Sequence, residues 1–478
     1  MKSIIGISCI NYNKAIGINN RLLYNLKSDI LFFKNITSST KLKDKKNAVI
    51  MGSNTYFSIP KKKRPLSDRI NLVITNEKYD KILPELQENT KLFKSVEDSL
   101  QYAFVNKQVE NIFVIGGESI YNYFMKNNLY NKLLINEIKW PQNDIGDAFF
   151  PTIPKSLYQK RCIGSVKEKN GDINFWYNNF DYTNIQPTKF TYSNPETEYL
   201  NALQYVLTNG ELRKTRNSEV YSTFGVNMKF DIRNDFPLLT TKKMYWNGIV
   251  QELLWFLRAD THSQNLEKKN VFIWKQNSSI EQIQKLKLPY QEGWCGPIYG
   301  FQWRHFNASY KSPTTEYSGK GIDQLQNCID LLRTNPYSRR IFMTAWNPCQ
   351  LDQMVLPPCH VSYQFYVTNN NELNCQMYQR SGDMFLGVPF NIASTALLVN
   401  ILATMTNLVP GEISIVIGDA HIYKNHIPQV QEQLKRKPYP LPKVEISTKH
   451  NRIEEYQDSD IKLKYYHSYS KLAADMIT

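Results

Sequence analysis

The chain has 478 residues, of which 42% are hydrophobic and 21% are charged, a composition typical of folded globular proteins that argues against disorder. Its length predicts about two to four domains. No stretch reaches the roughly 18 consecutive apolar residues of a membrane span, and the start MKSIIGISCINYN lacks a secretory cleavage site. Seven cysteines without a C-x-x-C pair predict no disulfide framework and no metal site, and they favour a reducing, cytoplasmic location.

The net charge of +15 is uneven. Residues 1–182 hold 27 Lys and Arg against 17 Asp and Glu (+10), and residues 183–478 hold 31 against 26 (+5). Part of the excess lies in two clusters, Lys41 to Lys46 and Lys61 to Arg64. Such clusters can attract nucleic acid or small polyanions, or they can be solvated loop lysines. Neither is interleaved with aromatic side chains, which disfavours a groove for single strands and leaves weak RNA binding as the alternative.

Residues 1–182 alternate short apolar runs with helical stretches. Ile4, Ile7 and Ile10 predict a first strand. Further buried strands are predicted over 48–52, 70–75, 111–117 and 132–138, and helices over 28–35 and 119–126. This alternation predicts an α/β domain with a mainly parallel central sheet and flanking helices.

A short linker is predicted over residues 183–197, TNIQPTKFTYSNPET, because this segment has two prolines and no sustained periodicity. A second domain, 198–478, begins with EYLNALQYVLTNG, whose apolar residues recur at helical spacing and whose Gly210 suits a helix C-terminus. The remainder is one α+β stretch in which no internal repeat stands out.

Three features of the first domain point to chemistry. Asp29 is a lone acid at the start of an apolar helix that continues with Phe32 and Phe33. Aromatic surroundings should raise its pKa, which suits proton handling near neutral pH, although an acid there can simply favour the helix dipole. The runs VIGGESIY (114–121) and AVIMGSNTY (48–56) each end a strand in glycine before a helix start, where backbone N–H groups can face phosphate.

In this order these blocks resemble dihydrofolate reductase, together with AIGINNRLLYNLKSDILFFK, LSDRINLVIT and IGDAFFP. The resemblance implies that Asp29 promotes protonation of the pterin, that Phe33 packs on the folate and that Arg69 pairs with its glutamate carboxylate. Asn136 stands where the family has a threonine that contacts the acid and the folate, and Ile16 to Asn20 would form a mobile closing loop. The cofactor NADPH would be bound by Ile16, Gly17, Gly52, Thr55, Thr75, Gly116, Gly117 and Tyr121.

The reductase match departs from the family pattern in the closing loop, where Tyr24 replaces a tryptophan. The basic residues that usually grip the 2′-phosphate of the cofactor appear as Ser53 and Asn76, for which Thr75 and Lys78 can compensate. These departures leave open the alternative that this domain serves only as a scaffold.

A nucleophile is the main candidate in the second domain. LPPCHVSYQFY places Cys359 between a proline pair and His360. A thiolate nucleophile needs a lowered pKa, for which Arg339, Arg340 and Arg380 are candidate cations. A buried inert cysteine and an ordinary core histidine are the alternatives.

GDAHIYKNH places His421 and Tyr423 on one face of a predicted strand, where both can reach a sugar hydroxyl or can be satisfied polar groups beside a sheet. With FPLLTTKKM, ELLWFLRADT, GPIYGFQWRHF and NPYSRRI, these blocks resemble thymidylate synthase from about Glu198 onward. The resemblance implies that Cys359 attacks C6 of dUMP, and that 5,10-methylenetetrahydrofolate delivers a carbon to C5 and leaves as dihydrofolate.

Further roles follow from this resemblance. Glu252 would organise proton transfers through water, Tyr299 would assist proton removal at C5, and Trp274 and Phe390 would pack near the folate. The residues that bind dUMP would be Arg216, Arg339, Arg340, Gln379, Arg380, Ser381, Asp383, Asn391, His421 and Tyr423. The two adjacent arginines of NPYSRRI would reach the phosphate from the partner subunit of a homodimer formed through the synthase domain. A local surface pair is the alternative.

The synthase match departs at three places. The phosphate loop reads Arg216-Asn217-Ser218 in place of Arg-Thr-Gly, the block before GPIYG reads GWC in place of Gly-Asp-Leu, and the tail DMIT lacks the usual Pro-His-Pro approach. The sequence therefore predicts a bifunctional enzyme with dUMP and folates as substrates, away from any membrane, whose phosphate loop and tail behave differently from the family's. A nucleic-acid-binding protein, suggested by the pI of about 9.2, is the alternative.

Overall fold

The computed structural model describes residues 2–139, 146–170, 173–215 and 218–475. The chain divides into two compact units, Met1–Ser193 and Asn194–Thr478, and the division falls inside the segment predicted as a linker. The predicted phosphate ligand Arg216 and the tail residues 476–478 lie outside the described residues.

The first unit combines strands and helices in alternation. Its strands are β1 (Ile4–Ile10), β2 (Ala15–Ile18), β3 (Arg21–Leu22), β4 (Lys46–Gly52), β5 (Arg69–Ile74), β6 (Thr90–Phe93), β7 (Val109–Val114), β8 (Lys132–Lys139), β9 (Ala148–Phe149), β10 (Tyr158–Asn170) and β11 (Ile173–Asn184). Its α-helices are α1 (Lys27–Ser38), α2 (Ser53–Ser58), α3 (Tyr79–Ile82), α4 (Val96–Val105) and α5 (Glu118–Lys126).

An eight-stranded sheet runs through this unit in the order β10-β11-β8-β1-β7-β4-β5-β6. The strands from β8 to β6 are parallel, whereas β10 and β11 form an antiparallel hairpin beside β8. Val49, Ile50 and Ile112 on the central strands are fully buried, because helices cover both faces of a parallel sheet. The predicted α/β domain with a mainly parallel sheet is confirmed.

Two local predictions differ from the structure. The strand predicted over 111–117 ends at Val114, because the chain turns at Gly116, whose φ is +125°. The loop predicted over Ile16 to Asn20 is in part a strand, since β2 pairs with β3 and β9 in a three-stranded sheet. The two asparagines at its end have φ of 50° and 56° and form the turn.

The second unit is α+β, as predicted. Its elements in chain order are α6 (Glu196–Asn209), β12 (Glu211–Lys214), β13 (Glu219–Asp231), α7 (Trp246–Leu257), α8 (Ser263–Glu267), α9 (Ile280–Lys285), α10 (Tyr299–His305), α11 (Gln324–Thr334), β14 (Phe342–Thr344), β15 (His360–Val367), β16 (Glu372–Asp383), α12 (Gly387–Thr406), β17 (Val409–Tyr423), α13 (Ile427–Leu434), β18 (Lys443–Ile446) and β19 (Ile461–Lys464). A six-stranded sheet has the order β12-β13-β17-β16-β15-β14.

The helix α12 is the centre of this unit. Its 20 residues are long and apolar enough to cross a membrane, but most of them are buried inside the protein, where α12 packs on β16, β17 and α7. A helix that is apolar on all sides is expected in such a core position. We therefore interpret α12 as a core helix.

The opposite face of the six-stranded sheet is open. Along β15, Tyr363, Phe365 and Val367 are buried while the alternate residues face outward, as the two-residue period of a strand requires. The outward side chains include Tyr366, which is 66% exposed, and Phe342 on β14, which is 47% exposed. Three exposed aromatic side chains on this face, Phe342, Tyr366 and Tyr378, are called the apolar sheet face here, and they share that side of the sheet with the exposed Gln364 and Gln376.

The segment that enters α6 is anchored in the second unit. Glu196 is buried, and its carboxylate accepts hydrogen bonds of 2.6 to 3.0 Å from the backbone N–H and the hydroxyl of both Thr240 and Thr241. Just before it, Asn194 donates from Nδ2 to the carbonyl oxygen of Tyr439 at 2.7 Å. The fold of this unit therefore includes residues that precede the predicted start of the second domain.

Candidate active sites

A cavity of about 1350 Å³ lies in the first unit, at the ends of the parallel strands and the starts of α1, α2 and α5. It brings together nearly all the residues predicted for the reductase site from the sequence. Those lining it are Ile16, Gly17, Asp29, Phe33, Gly52, Thr55, Arg69, Thr75, Gly116, Gly117 and Tyr121. Asn136 reaches the same site through Asp29.

Asp29 lies in the first turn of α1 and faces this cavity. Burial raises the pKa of its carboxyl group, in the direction that the aromatic surroundings predict. Asn136 donates from Nδ2 to Asp29 Oδ1 at 2.6 Å, so the amide does hydrogen-bond the acid in place of the family's threonine.

The start of α1 is capped by a residue that the sequence did not reveal. Glu168 on β10 accepts hydrogen bonds from the N–H groups of Lys27 and Ser28, at 2.7 and 3.0 Å. The alternative reading of Asp29, as a residue that only serves the helix start, is therefore weaker, because Glu168 already satisfies these donors.

Arg69 is buried to 97% and is fixed at two points. Its Nε donates to the carbonyl oxygen of Ser67 and its Nη1 donates to Thr37 Oγ1, both at 2.8 Å. The guanidinium carbon lies 5.9 Å from the centre of the Phe33 ring. A planar fork held in this way is suited to a carboxylate.

The two glycines before α5 form a close backbone approach. A Cβ on Gly116 or Gly117 would lie 3.3 Å from Thr55 Oγ1, so a side chain there would crowd the cavity. Backbone N–H groups at the start of a nine-residue helix favour an anion. This arrangement fits the phosphates of a dinucleotide cofactor.

The region predicted for the 2′-phosphate lines the same cavity. Ser53, Asn76 and Lys78 are all on its wall. The Lys78 ammonium group is hydrogen-bonded to the Asn54 side chain. The backbone N–H of Lys78 donates to Thr75 Oγ1 at 3.2 Å. For Lys78 to bind the 2′-phosphate in place of the missing basic residues, its ammonium group would have to leave the Asn54 side-chain amide.

In the second unit, Cys359 directly precedes β15 and is packed beside Arg380 of β16. Arg380 Nη2 lies 4.0 Å from Cys359 Sγ, and its Nε donates to the carbonyl oxygen of Pro358 at 2.9 Å. Burial raises the pKa of the Cys359 thiol, and Arg380, one of the predicted cations, only partly opposes this effect. Sequence shows the cation but not the extent of burial.

Tyr299 lies beside this thiol, and Glu252 is connected to Tyr299 through Trp274. The backbone N–H of Cys359 donates to the Tyr299 hydroxyl at 2.7 Å. Trp274 Nε1 donates to Glu252 Oε1 at 2.8 Å, and burial raises the pKa of Glu252 to about 7. The rings of Trp274 and Tyr299 are 5.9 Å apart, so these residues form one cluster.

His360 behaves as the hydrogen-bonded core histidine that was the alternative for it. It is buried, and burial lowers its pKa to about 4. Its Nδ1 lies 3.2 Å from the Tyr363 hydroxyl, and it also hydrogen-bonds Asn391 on α12. His360 is therefore neutral and holds Asn391, a predicted dUMP ligand.

His421 and Tyr423 lie side by side on β17, as their spacing predicts, with ring centres 5.3 Å apart. Sequence reasoning missed Asp419, whose Oδ1 is 3.2 Å from His421 Nδ1 and also accepts from Ser222 at 2.9 Å. Its place two residues before His421, on the same strand face, was an available signal.

The strand register brings β16 and β17 together at the predicted nucleotide residues. Ser381 pairs with Asp419, and Asp383 pairs with His421. The Asp383 side chain accepts from the N–H groups of Phe385 and Leu386 at 2.9 and 3.2 Å. One oxygen of the Asp383 carboxylate is therefore occupied by the backbone of its own chain.

The remaining predicted residues lie in different settings. Gln379 is buried and donates from Nε2 to the carbonyl oxygen of Ser381 at 2.9 Å, and Phe390 is half-buried on α12. Arg339 and Arg340 are exposed in the turn after α11, and neither makes an ion pair with any described residue. A chain alone leaves these two cations facing solvent.

Comparison with known proteins gives two family matches: residues 3–182 match the dihydrofolate reductase family, and residues 197–478 match the thymidylate synthase family. Bifunctional dihydrofolate reductase-thymidylate synthase 1 of Arabidopsis thaliana is 40% identical over 491 residues, covering 97% of this chain and 93% of that protein. The bifunctional dihydrofolate reductase-thymidylate synthase of Paramecium tetraurelia is 38% identical over 478 residues, covering 99% of each.

Proposed function

The chain belongs to the bifunctional dihydrofolate reductase–thymidylate synthases, and from that premise we propose which of its residues carry the two reactions. The synthase half methylates dUMP to dTMP with 5,10-methylenetetrahydrofolate and releases dihydrofolate. The reductase half reduces dihydrofolate to tetrahydrofolate with NADPH. The observation that best supports the residue assignment is that Asp29 and Arg69 share one cavity and Cys359 and Arg380 lie together.

The synthase reaction begins with attack of the Cys359 sulfur on C6 of dUMP, which makes C5 nucleophilic. Arg380 is the nearby cation that favours the thiolate against the effect of burial. Tyr299 keeps its own proton, because burial raises its pKa well above the usual value, so it is not itself the base. Its hydroxyl can hydrogen-bond a water molecule that takes up the C5 proton. Glu252, with a pKa of about 7, can hold or release a proton at neutral pH through water.

The nucleotide is positioned by residues of α12, β16 and β17, together with Arg216. Asn391 on α12, held by His360, reads the uracil edge. His421 and Tyr423 bind the 3′-hydroxyl of the deoxyribose, and Asp419 fixes the orientation of the His421 ring. Arg380 and Ser381, together with Gln379 and Arg216, complete the set for one chain.

In the reductase half, Asp29 holds the pterin and promotes its protonation, and Phe33 packs on the folate. Arg69 donates to the glutamate carboxylate from the N–H groups that are not used by Ser67 and Thr37. Bound NADPH supplies the hydride. Gly116, Gly117 and Thr55 would hold its phosphates, and Ile16, Gly17 and Tyr121 would line the nicotinamide end. Thr75 would lie toward the 2′-phosphate, beside Lys78.

A change of cofactor preference tests this assignment. Because Ser53 replaces a cation, NADPH should be preferred over NADH by a smaller margin than the family usually shows. Ser53→Arg should widen the ratio of kcat/KM for NADPH over NADH by about tenfold or more, since a charge-assisted phosphate contact contributes about 1.5–3 kcal/mol. This ratio is measured from the steady-state oxidation of NADPH and of NADH with dihydrofolate as the substrate.

The matched control is Ser67→Arg, which adds the same charge to the wall of the same cavity beside Arg69. It should leave the cofactor ratio unchanged. An unaltered ratio in Ser53→Arg would show that residue 53 does not face the 2′-phosphate. Absence of any dihydrofolate-dependent oxidation in the unsubstituted chain would instead favour a reductase domain that is only a scaffold.

The chain acts as a homodimer through its synthase half in this proposal. Two observations support it: the apolar sheet face of Phe342, Tyr366 and Tyr378 is open in one chain, and Arg339 and Arg340 face solvent. An isologous dimer would cover the apolar sheet face, and it would place Arg339 and Arg340 over the phosphate of the neighbouring site.

Charge on the sheet face should prevent this dimer. Phe342→Glu/Tyr366→Glu should shift the mass measured by sedimentation from twice 55.9 kDa toward the single chain, because two carboxylates per chain would be buried against each other. dTMP formation should be lost and dihydrofolate reduction kept. Tyr205→Glu, at a tyrosine that is 54% exposed on α6, should remain dimeric, and a dimer of the double variant would contradict the assignment of this face.

We further propose that the protein acts in the cytoplasm and away from membranes. Its odd cysteine count favours a reducing compartment, and its one long apolar helix among the described residues lies mostly inside a protein core. The basic surface serves small anionic substrates in this proposal. Nucleic acid remains the second candidate, and salt-dependent RNA binding that nucleotides do not displace would favour it.

A further inference from the structure

We propose that Cys9 is a positioning residue for Asp29: together with Asn136 it holds the Asp29 carboxylate from two neighbouring strands and so sets the pH range of dihydrofolate reduction. This inference rests on the proposed role of Asp29 as the acid of the reductase half. Nothing in the sequence motifs or in the family resemblance assigned a role to Cys9.

The geometry comes from the sheet. β1 and β8 are parallel neighbours, and Cys9 pairs directly with Asn136 in their register, so the two side chains leave the sheet side by side. Asn136 donates to the Asp29 carboxylate at 2.6 Å, and the Cys9 thiol beside it is close enough to interact with the same carboxylate. Cys9 is half-buried, packs beside Leu26 and Tyr177, and lines the same cavity as Asp29.

The two donors work against burial. Burial favours the neutral carboxyl group, whereas the hydrogen bonds from Asn136 and Cys9 favour the carboxylate. Burial and the adjacent acid raise the pKa of the Cys9 thiol well above its usual value. The thiol therefore stays protonated near neutral pH and remains a donor, and it is a poor nucleophile.

Other groups face Asp29 from the elements packed around it, and their roles differ. The interacting groups are Cys9 on β1, Asn136 on β8, Tyr121 on α5, Glu168 on β10 and Tyr177 on β11. The Tyr121 hydroxyl donates to the carbonyl oxygen of Ile7 and the Tyr177 hydroxyl donates to Ser28 Oγ, both at 2.7 Å. Glu168 contributes a negative charge that raises the pKa of Asp29.

Cys9→Ala therefore removes one donor to Asp29 without changing any charge. Reduction requires a proton at the pterin, so its rate falls as Asp29 ionises, and a higher pKa for Asp29 moves the alkaline limb of the rate profile upward. We expect the limb for hydride transfer, followed as single-turnover NADPH oxidation, to move up by about half to one pH unit. Asn136→Ala should move it in the same direction.

Cys9→Ser restores a donor of similar size and should return the limb toward the wild-type position. Cys162→Ala, at an exposed cysteine in the same unit, should leave the profile unchanged. A merely structural role for Cys9 would lower the melting temperature or kcat without moving the limb.

The proposal is overturned if Cys9→Ala and wild type share one profile, if the limb moves down, or if Cys9→Ser and Cys9→Ala shift equally. Folding is checked by the thermal transition of each variant, and Cys9→Ser gives a reading even where the alanine variant is unstable. The variant Asp29→Asn distinguishes failure of the Cys9 proposal from failure of the proposed role of Asp29. Full reduction in Asp29→Asn would remove the role of Asp29 itself, whereas its loss leaves the Cys9 experiment decisive.

Discussion

Cys359→Ala is expected to lower dTMP formation by about a thousandfold or more while dihydrofolate reduction stays within about twofold of wild type. The reason is that the variant lacks the nucleophile, and Arg380, Tyr299 and Glu252 cannot replace a covalent bond to C6. The reductase cavity lies in a separate compact unit, so its residues keep their contacts. Release of the C5 hydrogen of dUMP and oxidation of NADPH measure the two reactions independently.

Asp29→Asn should give the reverse pattern, because the amide cannot take up and return a proton at the pterin. Cys349→Ala is the matched control for the thiol change, since Cys349 is an exposed cysteine of the same unit, and both activities should survive there. Loss of both reactions from either single change, in protein with a wild-type thermal transition, would contradict two separable sites.

Mixed dimers should recover activity that neither parent shows, if each synthase site is built from two chains. Cys359→Ala lacks the nucleophile, and Arg339→Glu/Arg340→Glu lacks the cations offered to the neighbouring phosphate. After the two are unfolded and refolded together, half of the dimers are hybrids, each with one site that carries both defects and one that carries none. dTMP formation should rise from near zero to roughly a quarter of wild type.

A second mixture gives the control. Arg380→Glu removes a cation 4.0 Å from the sulfur of its own chain, so hybrids of Arg380→Glu with Cys359→Ala contain a defect in every site. That mixture should stay inactive. If the Arg339 and Arg340 mixture is equally inactive, although co-purification of differently tagged chains shows that hybrids form, these arginines serve their own chain or none.

The positions of the secondary structure were largely readable from the sequence. Runs such as AVIM and NIFV must be buried on both faces, which identifies parallel strands. The pairing of β2 with β9 could not be read in this way, because its partners lie far apart along the chain and each strand is short. The local pattern of apolar residues does not show which distant segment pairs with the edge of a strand.

The same difference between local spacing and contacts across the fold applies to the active-site residues. Motif residues such as His421 and Tyr423 were predicted together because their spacing on one strand brings them together. Glu168 and Cys9 were missed, since each acts on Asp29 or its helix from a different strand, and local periodicity does not show contacts between elements. The direction of the Cys359 pKa was also beyond the sequence, because it depends on how deeply the thiol is buried beside Arg380.

The anchoring of Glu196 decides where the gene can be divided if the halves are to be produced as separate proteins. A synthase half that starts at residue 198 would lack the carboxylate that satisfies Thr240 and Thr241. Each unsatisfied buried donor costs about 1–3 kcal/mol, which is a large part of the stability of an ordinary domain. Dissection should therefore keep Asn194 and Glu196 with the synthase half.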